Sequence, residues 1–90
     1  MTTQLVGGYT AYRTEIKDSE KAIFEKAMAG RTGVRFEPIA VATQVVSGMN
    51  YSFFCNSQVV APDAPVKGAR VTIYEGIGKA PVVTSITNFE

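Results

Sequence analysis

The chain has 90 residues, of which 46% are hydrophobic, so it can enclose one small core but has no room for a second. Its 9 basic and 8 acidic residues leave a formal net charge of +1, and the lysines and arginines are spread along the sequence. We therefore expect a single domain over residues 1–90 that binds neither nucleic acid nor an anionic membrane surface.

The absence of histidine limits the chemistry that the protein can perform. Without histidine the chain has no Cys-His or Ser-His-Asp nucleophile and lacks the commonest metal ligand. The catalytic alternative left open is a pair of carboxylates in a pocket. The segment GIGK, residues 76–79, resembles part of a phosphate-binding loop, but Ala80 and Pro81 follow it where that motif needs Ser or Thr and a helix, so we interpret it as a turn. We predict a protein that is not an enzyme and that uses no metal ion or cofactor.

The sequence also bears on location. No segment approaches the roughly 20 apolar residues that span a bilayer, and the N-terminus lacks the basic and apolar regions of a signal peptide. Cys55 is the only cysteine, so no internal disulfide can form, and its place in YSFFCNS predicts a small buried side chain. These features predict a soluble protein, located in the cytoplasm, or secreted if a leader was removed.

The first predicted elements are a short strand and a helix. Residues 9–13, YTAYR, alternate weakly and favour a strand. Apolar residues then recur at helical spacing over residues 14–30, with Thr14 or Asp18 as the N-cap and Gly30 as the left-handed residue that ends the helix. The predicted apolar face of this helix consists of Ile16, Ile23, Phe24, Ala27 and Met28.

From Gly33 onward the hydrophobic period changes to two. Residues 34–46 and 49–60 predict two long strands joined by a turn at Ser47 and Gly48, with a bulge or an edge position at Pro38. After a loop over residues 61–68, the segments 69–75 and 81–89 predict a second hairpin around GIGKA. The order predicts an α+β fold in which one helix lies across a curved antiparallel sheet of four to five strands. Both hairpin turns and the start of the first strand can then reach the same end of the molecule.

Two segments at that end carry a recognisable motif. Gln44, Val45, Val46, Ser47 and Gly48 place two valines at a hairpin tip, and the sequence Leu5, Val6, Gly7, Gly8 precedes the first predicted strand. On these residues the chain resembles the cystatins, which inhibit papain-like cysteine proteases and share a Q-x-V-x-G hairpin motif. The resemblance extends over nearly the whole chain, to the aromatic residue in the final NFE.

The resemblance implies a reversible, non-covalent, tight-binding inhibitor whose partner is a papain-like cysteine protease. An N-terminal trunk, residues 1–8, and the two hairpins would form a wedge that enters the protease cleft. Leu5 and Val6 would occupy non-primed subsites, with Gly7 as the joint, while Gln44 would hold the tip rigid through the hairpin backbone. By the same resemblance, Gly48→Glu is expected to abolish inhibition while leaving the fold intact.

The second hairpin departs from the pattern that many cystatins share. They carry Pro-Trp there, whereas this chain has no tryptophan and presents Ile77 and Gly78, with Ile77 as the expected apolar contact; stefin-type members also lack that tryptophan. The departure keeps a second reading open, in which the protein is a cystatin-fold interaction module without inhibitory activity. We expect the active form to be a monomer and a domain-swapped dimer to be an inactive alternative.

Overall fold

One α-helix and a four-stranded antiparallel sheet make up the fold in the computed structural model, which describes residues 8–89. The elements are α1 (Asp18–Met28), β1 (Val34–Val46), β2 (Gly48–Val59), β3 (Val66–Glu75) and β4 (Val82–Phe89), and the strands lie in the order β1-β2-β3-β4. The predicted α+β arrangement of a helix on an antiparallel sheet is confirmed. Within residues 8–89 no helix is long and apolar enough to cross a membrane.

The core lies between α1 and one face of the sheet. Phe24 of the helix meets Phe53 of β2 edge to face, with ring centroids 4.9 Å apart, and Phe53 is fully buried between its cross-strand partners Val41 and Val71. Cys55 is also fully buried, and burial raises the pKa of its thiol to about 12, so it is a packing residue as predicted. The predicted apolar residues around Phe24 pack against this core: Ile16, Ile23, Ala27 and Met28.

The helix begins between the two predicted N-caps. Its N-cap is Lys17, which has an extended backbone, and the side chain of Glu20 accepts a hydrogen bond of 2.9 Å from the Lys17 amide. The prediction that Thr14 or Asp18 is the N-cap was therefore wrong. Glu20, three residues after Lys17, accepts from the amide of the N-cap residue, as the acid of a capping box does. Gly30 adopts a φ of 84° just beyond the helix, which confirms its predicted left-handed conformation.

Residues 9–13 do not form the predicted strand. They contribute one isolated bridge to β1, between Arg13 and Val41. Nearer the N-terminus the hydroxyl of Thr10 accepts the hydrogen bond of the Thr43 amide, at 3.0 Å, where a regular ladder would use a backbone carbonyl. A side chain thus replaces a backbone group, so the segment follows the edge of β1 without strand geometry.

The sheet contains the predicted irregularity in β1. The register between β1 and β2 shifts between Pro38 and Ala40, which confirms a bulge at Pro38. A second shift, not predicted, lies between Thr72 and Ile73 in the pairing of β3 with β4. β3 also begins at Val66, inside the predicted loop, because Val66 pairs with Gln58 and extends the ladder to the end next to Pro65.

Candidate functional site

The two hairpin turns lie side by side at one end of the molecule. The first is very tight, since Val46 and Gly48 are paired and only Ser47 lies between them. The second follows Glu75 and is closed by a hydrogen bond of 3.0 Å from the Lys79 amide to the Gly76 carbonyl. The Tyr74 hydroxyl, at the end of β3, donates to the Ser47 carbonyl at 2.5 Å, so the turns are joined directly.

Apolar side chains project from both turns. Val45 is 64% exposed and Ile77 is 80% exposed, while Val46 is more sheltered at 38%. None of them contributes to the buried core, so their exposure calls for an explanation outside the fold. We call this area the tip surface and define it as the exposed residues of the two turns: Val45, Val46, Ser47, Ile77, Gly78 and Lys79.

A cross-strand pair lies directly below the first turn. Gln44 and Asn50 are opposite each other in β1 and β2, and the Asn50 amide nitrogen donates to the Gln44 side-chain oxygen at 2.7 Å. Gln44 was expected to bond the hairpin backbone, and its hydrogen bond to Asn50 is a side-chain contact across the hairpin. Such a cross-strand pair restrains the two strands where they enter the turn.

Gly48 has a structural role that the motif did not reveal. Its φ is 103°, which L side chains rarely adopt, and a Cβ built on it would lie 2.3 Å from the Glu75 carbonyl oxygen. The first turn therefore packs against the backbone of the second through a contact that only glycine permits. The expectation that Gly48→Glu leaves the fold intact is wrong, since any side chain here must displace the second turn.

The N-terminal residues of the predicted wedge are described only in part. Leu5, Val6 and Gly7 lie outside the described residues. Gly8 is half-buried, and the segment that follows it runs antiparallel to β1, with the Thr10 amide donating to the Thr43 carbonyl at 2.8 Å. Followed back toward Gly8, the chain therefore heads toward the first turn.

The chemistry available at this end is that of a contact surface. Apolar side chains, turn peptides and the ammonium group of Lys79 make it up, and among residues 8–89 no cluster of acidic or cysteine side chains is arranged to hold a metal ion. Neither a protein-family model nor a curated protein sequence matches the chain. Sequence reasoning missed Tyr74 and Asn50 because cross-strand neighbours follow from register, and register is not visible in a motif.

The Tyr74 hydroxyl offers a direct test of how the turns are joined. We expect Tyr74→Phe to lower the free energy of unfolding by about 1 kcal/mol, because it removes one hydrogen bond and leaves the ring in place. Urea denaturation followed by circular dichroism measures the change. Tyr12→Phe, which removes a hydroxyl bonded to Ser52, is the matched control away from the tip surface, and an unchanged stability in Tyr74→Phe would contradict a structural link between the turns.

Proposed function

We propose that the protein is a reversible, non-covalent inhibitor of papain-like cysteine proteases and that the tip surface enters the protease cleft. The observation that carries this proposal is the exposure of Val45 at the tip of a Q-x-V-x-G turn that is joined to a second exposed apolar turn. The α+β arrangement agrees with a cystatin-like fold, to which the motif also points. A projecting apolar surface of this kind favours burial by a partner.

The contacts around the turns explain how such a surface can bind tightly. The Gln44–Asn50 pair, the Tyr74 hydrogen bond and the close packing of Gly48 hold both turns before a partner arrives. Little ordering of these turns would then remain for the moment of association. Burial of Val45 and Ile77 would each contribute about 1.5 to 3 kcal/mol to binding.

The mechanism requires no reaction at the inhibitor. The turns would occlude the substrate-binding cleft, and Leu5 and Val6 would add contacts on the non-primed side through the joint at Gly7. Gly78 allows the second turn to form with a φ of 71°, and Ile77 of this turn would then contact the primed side. The inhibitor would leave the protease unchanged on dissociation.

The same turns bear on the proposed active state. Exchange of strands between two copies would require the Ser47–Gly48 turn to open, which would displace the Ser47 carbonyl that accepts the hydrogen bond from Tyr74. The first-turn part of the tip surface would no longer exist in such a dimer. The monomer is therefore the proposed inhibitory form.

A second candidate function is a cystatin-fold interaction module that does not inhibit proteases. It is favoured by the second turn, where Ile77, Gly78 and Lys79 occupy the place at which many cystatins have Pro-Trp. Such a module would use the tip surface for a different protein partner. The two candidates differ in one measurable property, which is the inhibition of a papain-like enzyme.

Titration of the monomer into papain with a fluorogenic peptide substrate tests the proposal. We expect activity to fall in proportion to added protein and to reach zero near one inhibitor per active enzyme. Activity should return on dilution, because no covalent bond forms. Full papain activity at micromolar protein would contradict inhibition of this enzyme and would favour the interaction module.

A further inference from the structure

The segment that precedes the helix is attached to all the elements around it. Hydrogen bonds of 2.9 and 3.0 Å join Arg13 to Val41 through both backbone amides, and two more join Thr10 to Thr43. The Tyr12 side chain reaches across to β2, where its hydroxyl and that of Ser52 form a hydrogen bond of 2.5 Å. The segment 8–13 is therefore fixed to β1 and β2 at several points.

Its link to the helix is an ion pair. The Arg13 guanidinium donates to both carboxylate oxygens of Glu20, and one of these oxygens also accepts from the Lys17 amide. Glu20 is only 6% exposed, so its charge is removed from water and depends on these partners. A bidentate ion pair of this kind fixes the direction of the side chains as well as their distance, because two donors of the planar guanidinium are engaged.

This geometry sets the direction in which the pKa of Glu20 is shifted. The hydrogen bond from Arg13, with a further contribution from the Lys17 amide, holds the pKa of the Glu20 carboxyl below its usual value, against the opposing effect of burial. Because folding lowers this pKa, the pair stabilises the fold above the ordinary pKa of a glutamate. That stabilisation is lost as the pH falls through the lowered value.

We propose that Arg13 and Glu20 are positioning residues for the N-terminal contacts of the inhibitor, an inference that rests on the proposed function. They join the segment 8–13 to the helix and so hold Gly8 and the residues that follow it in one place relative to β1. Leu5 and Val6, which lie outside the described residues, would then meet the protease from a chain that is already fixed at Gly8. Neither positioning residue belongs to the tip surface.

The backbone hydrogen bonds to β1 would not by themselves hold the segment 8–13 in one place. A segment held only by hydrogen bonds to an edge strand and by one between side chains can detach locally at low free energy, whereas a link to the helix also ties it to an element packed on the core. Release of the segment would leave several more residues to be ordered during binding. The resulting loss of binding free energy would appear in the contribution of Leu5 and Val6 and not in that of the hairpins.

A double-mutant cycle tests this distinction. In the full chain, we expect Glu20→Gln to weaken papain inhibition about tenfold, mainly through faster dissociation. In a full-length variant that already carries Leu5→Ala and Val6→Ala, the same substitution should change inhibition less than about twofold. Equal losses in both backgrounds, or no loss in the full chain, would overturn the inference. Glu25→Gln, on the exposed side of the helix, is the charge-matched control.

Amide hydrogen exchange separates failure of this inference from failure of the proposed function. Glu20→Gln should speed exchange at the four amides that hold the segment and leave the core amides of Tyr51 and Phe53 unchanged. Unchanged exchange at the segment would overturn the inference whether or not the protein inhibits papain. Wild-type protein that fails to inhibit papain would instead contradict the proposed function. The four reporting amides belong to Thr10, Arg13, Val41 and Thr43.

Discussion

Val45→Asp is expected to weaken papain inhibition by about 100-fold or more while leaving the free energy of unfolding within about 0.5 kcal/mol of wild type. The valine is 64% exposed and is not part of the buried core, so the fold has little to lose. A protease that buries this position would lose the apolar contact, worth about 1.5 kcal/mol, and would also have to bury an unpaired carboxylate. The two penalties add, and together they exceed the roughly 2.7 kcal/mol that a 100-fold effect requires.

The matched control is Val60→Asp, because Val60 is 62% exposed and lies just beyond the far end of β2 from the first turn. Inhibition constants come from the fluorogenic assay with papain, and stability comes from urea denaturation of the same samples. We expect Val60→Asp to inhibit like wild type. Retained inhibition in Val45→Asp, or an equal loss in both variants, would show that the first turn is not the contact surface.

The long strands were predictable because one signal governs them. β1 was predicted at residues 34–46 and is found at Val34–Val46, since apolar residues repeat with a period of two and Gly48 ends the alternation at a turn. The bulge at Pro38 was also predictable, because proline cannot donate to the ladder. Local chemistry and tertiary structure agree over this part of the chain.

The N-terminal third was less predictable because long-range contacts decide it. The helix begins after Lys17 since Glu20 both caps the helix and binds Arg13, and that pairing cannot be read from helical spacing. Residues 9–13 resemble a strand in sequence, yet the Thr10 hydroxyl replaces a backbone acceptor and Arg13 alone forms a bridge to β1. Side-chain substitution for backbone hydrogen bonds leaves no periodic signal.

The candidate site was also predictable only in part. The motif located Gln44 to Gly48, and the second turn was correctly expected beside it, because both follow from strand order in an antiparallel sheet. The partners that join the turns were not predictable, since Tyr74 lies 27 residues from Ser47 in sequence. Gly48 was predicted as part of the turn, but its close contact with the Glu75 carbonyl could not be read from the motif.

Gly48→Ala is expected to lower the free energy of unfolding by about 3 kcal/mol, against about 1 kcal/mol for Gly78→Ala. Both glycines have positive φ, at 103° and 71°, so both substitutions strain the backbone. Only at Gly48 does a new Cβ also meet the Glu75 carbonyl, whereas nothing lies within 4 Å of a Cβ at Gly78. The difference between the two variants therefore reports the contact with Glu75 together with the greater backbone strain at a φ of 103°.

Urea denaturation of the two variants under identical conditions gives this difference. Equal losses would mean that backbone strain alone accounts for the need for glycine and that the turns do not depend on close packing. A larger loss in Gly48→Ala has a consequence for the function, because a variant that displaces the second turn would weaken inhibition even if a protease never touched Gly48. Loss of inhibition on substitution of Gly48 is thus weak evidence for a protease contact there, and the exposed Val45 is the position that tests binding without altering the fold.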